Sequence, residues 1–364
     1  METYKRVAVK VGSNVLTRGD GTLDVTRMSA LADQMVALRR AGIEVILISS
    51  GAVASGRSEL GTGLKLDDVS SRQLYSAVGQ AKLINRYYDL FRGYGIACGQ
   101  VLTTKDNFGS RNLYLNQKNC IGIMLAAGVV PIVNENDAVS VTELMFTDND
   151  ELSGLIATMM DAEALIILSN IDGIYDGNPA EPGTSVIRRV EPHSSLEQYI
   201  QSGKSQFGRG GMLTKTNIAR KVASEGVEVI IANGKRDNIL PDLLLGTQAE
   251  REEVVCTRFV PSEKAPSSVK RWIAHSESFA KGKLHLNEGA VKALLGPEAT
   301  SLLPVGIVSV EGMFDEGDIV RLTAPDGRQI GVGLVTADSE TVSAVAGTHG
   351  GKPVVHYDYM YLDL

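Results

Sequence analysis

The chain has 364 residues, 43% of them hydrophobic and 22% charged, with a formal net charge of −7. That length fits about two domains under a prior of ~150 residues each, and the composition fills ordinary globular cores. The acidic balance argues against a general binder of nucleic acid or membrane surfaces, which would carry excess positive charge.

The first predicted strand, Val7-Ala8-Val9-Lys10-Val11, carries a lysine near its end and runs into Gly12-Ser13. A strand buried on both faces reads as a continuous apolar run, and a cation inside it is costly unless something negative meets it. The glycine lets a backbone approach a ligand, and free N–H groups there favour an anion. Two readings stay open on this segment alone. One is a phosphate site at the C-terminal edge of a parallel sheet; the other is an edge strand whose lysine snorkels to water.

Beyond it, Val25, Met28, Leu31, Ala32, Met35 and Leu38 recur at helical spacing, with Gly42 as the stop. Glu44–Ser50 reads as a buried strand ending on Gly51, Ser71–Arg92 as a helix, Ile96–Thr104 as a strand and Asn112–Ala127 as a helix. Strands at Val129–Val133, Ala164–Leu168 and Val227–Ala232 alternate with helices from Glu151 and over Met212–Glu225. Such alternation predicts an α/β fold, a mostly parallel open sheet with helices on both faces. Ligands of such sheets sit beyond the C-terminal strand ends.

The pattern changes near residue 260. Val260–Ser268 is polar with two prolines and reads as a linker. The expected division is therefore 1–259, a linker at 260–269, and a β-rich domain at 270–364. In that last part, β-like runs at Gly306–Val310, Asp318–Leu322, Ile330–Val335 and Thr341–Val345 surround one helix near Glu288–Leu295. The three cysteines, Cys98, Cys120 and Cys256, and the five histidines are scattered, which supports neither a disulfide framework nor a zinc site. The N-terminus lacks a basic segment followed by a long apolar core, and no apolar run approaches a membrane span. A cytoplasmic protein is expected.

Three more loops fall where strand ends should gather with Lys10. At Ser49-Ser50-Gly51-Ala52-Val53 a strand stops on hydroxyls and glycine, suited either to a bound carboxylate or phosphate or to a plain turn with serine as helix cap. Asn134-Glu135-Asn136-Asp137 and Phe146-Thr147-Asp148-Asn149-Asp150 are dense in carboxylates and amides. Such groups hold an ammonium or orient lysines, though Asp and Asn are also common in turns. Phe207-Gly208-Arg209-Gly210-Gly211-Met212-Leu213-Thr214-Lys215-Thr216 places glycines before a helix with a lysine in its first turns. That pattern suits phosphates without being a Walker A loop.

In this order and spacing, the loops resemble the amino-acid kinase family; Ile171-Asp172-Gly173-Ile174-Tyr175 belongs to the same set. The similarity is strongest to those members that phosphorylate the γ-carboxylate of glutamate at the first step of proline biosynthesis. The C-terminal part resembles the PUA domain that many bacterial members carry. The resemblance implies that Lys10 and Lys215 stabilise the transferring γ-phosphoryl group and that Asp150 holds those lysines. It implies that Ser50, Asp137 and Asn149 bind glutamate, and that Ser169 and Asn170 with Gly210, Gly211, Met212, Leu213, Thr214, Lys215 and Thr216 line the ATP site. Two departures stand out: Ser169-Asn170 where the family often has Thr-Asp, and Asp176-Gly177-Asn178-Pro179 where it usually has Thr-Ala-Asp-Pro.

The resemblance further implies Mg²⁺ held chiefly by the ATP phosphates, with no protein ligand named. It also implies feedback inhibition by proline, a homo-oligomer, and a glutamyl-5-phosphate reductase that receives the product. Related members phosphorylate N-acetylglutamate or UMP, and PUA domains resemble RNA-binding modules. Residues 270–364 hold eight Lys or Arg against twelve Asp or Glu, which disfavours RNA, since phosphate-backbone affinity depends on cations.

Overall fold

In a computed structural model of the chain, the N-terminal apolar run forms β1 (Arg6–Val11). The structure describes residues 4–61, 65–139, 149–179, 181–192, 211–263, 267–296 and 298–362. They fall into two units, Met1–Lys105 with Leu115–Ala265, and Asp106–Tyr114 with Pro266–Leu364.

The first unit is built on an eight-stranded sheet. Its other strands are β2 (Glu44–Ser49), β3 (Cys98–Thr103), β4 (Val130–Glu135), β5 (Ala164–Ser169), β6 (Arg189–Val190), β7 (Glu228–Asn233) and β8 (Thr257–Phe259). The order is β3-β4-β2-β1-β5-β7-β8-β6, parallel throughout except for the β7–β8 pair. β1 is central, with Lys10 opposite Ile48 on one side and Ile167 on the other. The edge-strand reading of Lys10 is therefore excluded.

Apolar alternation sorts the strand side chains to two faces. After the short α1 (Ser13–Leu16), α2 (Val25–Arg40) brings Met28, Leu31 and Met35 to join Val7, Val9 and Val11 in one core cluster. α2 starts where Asp24 accepts from the Arg27 N–H at 3.1 Å, a satisfied helix start. Beyond α5 (Asp106–Gly109) and α6 (Arg111–Ala126) in the chain, α7 (Asn149–Met159) packs against β1, β2, β4 and β5. Apart from Glu151, its residues from Asp150 onward are buried, as for a helix covered on all sides. α8 (Gly211–Ser224) packs on α7.

One helix pair is held by glycine. α3 (Ala52–Leu60) and α4 (Asp68–Arg92) touch backbone to backbone. A Cβ on Gly56 would lie 1.8 Å from the Tyr75 carbonyl oxygen, and one on Gly79 would lie 1.8 Å from that of Ala52. This contact fixes the face of α4 that carries Arg72, Ser76 and Gln80.

The second unit is a five-stranded sheet of order β10-β9-β11-β12-β13. Its strands are β9 (Gly282–Leu286), β10 (Ile307–Gly312), β11 (Ile319–Thr323), β12 (Gln329–Val335) and β13 (Val355–Leu362). The run Thr341–Val345, expected as a strand, is instead part of a helix, Ser339–Val345. Asp338 accepts from the Thr341 N–H at 2.7 Å, and this cap outweighs the β preference of Thr341 and Val342. The sheet is completed by β13 instead. Phe108, from the excursion Asp106–Tyr114, is buried in this unit, and its carbonyl accepts from the Trp272 indole at 2.8 Å. Among the described residues no helix is long and apolar enough to cross a membrane.

Candidate functional site

The central strand delivers Lys10 to the C-terminal edge of the sheet, where only 5% of the residue is exposed. Its negative partner is Asp150, in the first turn of α7 and fully buried. Lys10 Nζ lies 2.6 Å from Asp150 Oδ1, and Lys215 Nζ, from α8, lies 2.7 Å from Oδ2. Two lysines 205 positions apart in the chain thus share one carboxylate, leaving a net positive charge at the mouth of the sheet. Burial is the largest single influence on the Asp150 carboxyl and opposes its ionisation. Attraction to and hydrogen bonding from Lys10 and Lys215 outweigh it together, so the group is held below its ordinary value.

A carboxyl depressed on folding stabilises the fold above its unfolded value of about 3.9, and that contribution fades as pH falls through the folded value. Asp150→Asn is therefore expected to lower the urea midpoint by a constant amount from pH 7 down to about 5, with the gap to wild type closing only below about pH 4. A gap unchanged at pH 3 would remove Asp150 ionisation from the stability of the fold.

The Gly12 N–H is not available to an anion, because it donates to the Leu168 carbonyl at 3.1 Å. The glycine keeps this turn close to its neighbours: a Cβ would sit 3.2 Å from that carbonyl oxygen and 3.6 Å from Lys10 Nζ. At the end of β2, the N-cap of α3 is Gly51, at φ +106° and without a side-chain cap bond. The serine-cap alternative is not what forms. Ser50 Oγ instead accepts from Asn149 Nδ2 at 2.9 Å, and the same amide donates to Asn134 Oδ1 at 3.0 Å.

These groups line one cavity of about 860 Å³ in the first unit. Of the residues singled out from sequence, Lys10, Ser50, Asp137, Asn149, Asp150, Ser169 and Lys215 all line it. Asn170, Met212, Leu213, Thr214 and Thr216 do not appear on its wall. Leu213 is exposed, and the Thr216 hydroxyl turns back to the Met212 carbonyl at 2.9 Å. Gly211 opens α8, whereas Gly210 and Asp148 lie outside the described residues. Ser169, the last residue of β5 and followed by Asn170, is in register with Asn233 of β7, which donates to Asp172 Oδ1 at 3.2 Å. That cluster adjoins the strand ends on the Lys215 side.

Arg72 was not marked by any motif. Its Nε donates to Asp137 Oδ1 at 2.6 Å and its Nη2 to Glu135 Oε2 at 3.0 Å. Four residues on, Ser76 Oγ reaches Asp137 Oδ2 at 3.4 Å; four further, Gln80 Oε1 accepts from Asn134 Nδ2 at 2.9 Å. The signal was the recurrence of Arg72, Ser76 and Gln80 at four-residue spacing on a helix whose inner face also carries Tyr75, Leu83 and Tyr87.

A model of the amino acid kinase family matches residues 5–233, and a PUA domain model matches residues 282–356. The chain is 65% identical over 362 residues to a glutamate 5-kinase from Bacteroides thetaiotaomicron, spanning 100% of this chain and 99% of that protein. It is 48% identical over 361 residues to a glutamate 5-kinase from Chlorobaculum tepidum, spanning 99% and 98%. Among solved structures, a carbamate kinase from Giardia lamblia bound to AMP-PNP shares the fold, with a TM-score of 0.50 at 16% identity over 71% of this chain and 99% of that one. With family models over both units and full-length relatives at this identity, the chain belongs to the amino acid kinase family, among its glutamate 5-kinases, and carries a PUA domain.

Proposed function

We propose that this chain transfers the γ-phosphoryl group of ATP to the γ-carboxylate of L-glutamate, giving L-glutamyl 5-phosphate, the first step of proline biosynthesis. The observation that carries the reading is the pair of lysines on Asp150 in a cavity also lined by Ser50, Asp137 and Asn149.

A carboxylate attacking a polyanion must overcome like-charge repulsion. Lys10 and Lys215 supply positive charge where the transferring phosphoryl group would pass, while Asp150 keeps both amines aimed without cancelling them. No general base is needed, because the γ-carboxylate is already ionised at neutral pH. Ser50 and Asn149, tied to each other, with Asn149 next to Asp150 in the chain, are suited to orient the attacking carboxylate, and in-line placement of the two substrates provides much of the remaining advantage. The ATP site is assigned to Ser169, Asn170 and the start of α8.

Mg²⁺ is proposed to arrive on the nucleotide phosphates, where it neutralises charge. Among the described residues no group of three His, Cys, Asp or Glu side chains is placed to cage a metal, and both Asp150 oxygens face lysines. The proposal extends to a cytoplasmic homo-oligomer under feedback by proline that passes its labile acyl phosphate to glutamyl-5-phosphate reductase.

For the PUA domain we favour a structural or regulatory role over RNA binding. Two of its lysines are paired with carboxylates: Lys281 with Asp318 at 3.4 Å and Lys283 with Glu311 at 2.7 Å.

The test is direct. The protein is incubated with ATP, Mg²⁺ and glutamate, with hydroxylamine as acyl-phosphate trap. Hydroxamate is expected with glutamate and not with N-acetylglutamate. Hydroxamate from N-acetylglutamate alone, or ADP release dependent on UMP without hydroxamate, would replace the reading with one of the neighbouring kinases.

A further inference from the structure

We propose that Tyr87, buried on α4 and off the cavity wall, is a positioning residue for the reaction, acting through Ser49 to fix the peptide between Ser50 and Gly51. The inference rests on the reading of this cavity as the glutamate site, in which Ser50 orients the attacking carboxylate.

Three observations carry it. First, the core cluster beneath this end of β2 is apolar, with Val11, Leu47, Leu83 and Phe91 in it. Two hydroxyls meet there: Tyr87, 1% exposed, and Ser49, fully buried, lie 2.9 Å apart, oxygen to oxygen. Phenylalanine and alanine would occupy the same space without taking a hydroxyl out of water. The Tyr87 ring is stacked on Phe91 with centroids 6.4 Å apart. Burial pushes the phenol up to about 12, so its proton stays in place at every working pH.

Second, the pair has a direction. Ser49 Oγ donates its one hydrogen to the Ser50 carbonyl at 3.1 Å, so Tyr87 is the donor to Ser49. Among the described residues the Ser50 carbonyl accepts no other hydrogen bond. The relay runs from the phenol through the Ser49 hydroxyl to the backbone of Ser50.

Third, that carbonyl decides how the chain turns into α3. A trans peptide points its C=O and its N–H opposite ways. A Ser50 carbonyl drawn to the Ser49 hydroxyl therefore leaves the Gly51 N–H aimed away from it, and Gly51 lies on the cavity wall. Gly51 sits at φ +106°, in a region that glycine enters and leaves freely. Nothing in Gly51 itself stops this peptide from turning over. The Ser50 N–H is held by the Val11 carbonyl at 3.2 Å and its hydroxyl by the Asn149 amide, but neither bond restrains the carbonyl. That restraint comes from Ser49, and Tyr87 keeps Ser49 aimed.

Tyr87→Phe, Ser49→Ala and the double variant test the relay, each followed in the hydroxamate assay and by urea denaturation. Ser49→Ala is expected to lower kcat/KM for glutamate about tenfold, less than the ~100-fold of a reacting group misplaced by ~1 Å. Tyr87→Phe should lose less, because Ser49 keeps its hydroxyl but not its aim. KM for ATP should be unchanged in both. The double variant should be no slower than Ser49→Ala, since the relay is already cut. Its urea midpoint should be no lower than that of either single variant, because both partners of the buried pair have become apolar.

A brace for the fold alone would show the reverse, lowered urea midpoints with kcat/KM for glutamate unchanged. That result would overturn the proposal, and so would losses in the single variants that multiply in the double one. Tyr87→Phe removes one oxygen and keeps the ring, so it carries the test if Ser49→Ala does not fold; an unchanged kcat/KM in that variant overturns the proposal as well. A wild-type protein that makes no hydroxamate from glutamate would instead sink the reading of the cavity itself, a separate outcome.

Discussion

Lys10→Ala is expected to lower kcat at least about 100-fold, the scale of one lost transition-state charge contact, with a smaller change in KM for glutamate. The structure makes this variant interpretable. Asp150 keeps Lys215 at 2.7 Å after Lys10 is removed, so the buried carboxylate is not left without a cation. A protein that still folds, with a lowered thermal transition and a collapsed kcat, is therefore the expected pairing. Near-normal kcat in that folded variant would take the phosphoryl-stabilising role away from Lys10.

Gly79→Ala is the second change with a large expected effect, and here two influences oppose each other. Alanine in a helix interior gains about 1 kcal/mol over glycine in propensity. Its Cβ would, however, lie 1.8 Å from the Ala52 carbonyl oxygen and 2.4 Å from the Gly56 nitrogen. These are backbone atoms of the facing helix, which cannot rotate away as a side chain can. The clash wins, and destabilisation of about 3 kcal/mol is expected, at the upper end for overpacking. Urea denaturation measures it. Because α4 carries Arg72, Ser76 and Gln80, moving it off α3 should also raise KM for glutamate more than KM for ATP. A variant within about 0.5 kcal/mol of wild type, the range of neutral surface changes, would show that the two helices have room to spare.

The parts of the site readable in the sequence are those where chemistry conflicts with local structure. A lysine in a buried apolar strand, glycines before a helix, and amides crowded at a strand end each break the pattern of their element. Lys10, Lys215, Asp150, Ser50, Asn149 and Asp137 stand out for that reason, and the structure brings all six to one cavity. Arg72 breaks no pattern: an arginine on a long amphipathic helix looks like any solvated residue until β4 places Glu135 and Asp137 against it. The central position of β1 was likewise invisible in its own residues, since an edge strand and a covered one differ by what pairs beside them. The helix Ser339–Val345 shows the reverse case, a run with strand-like residues turned by one capping aspartate.

The excursion Asp106–Tyr114 bears on how such a protein can lose its tail. A premature stop codon near residue 266 would delete Trp272 and Phe279 but keep the stretch that they cover, with Phe108 and Tyr114 stranded in water. Exposing the Phe108 ring alone would cost about 2 kcal/mol and create a sticky patch. A chain shortened in this way would need the internal loop rewritten as well to stay free of that patch.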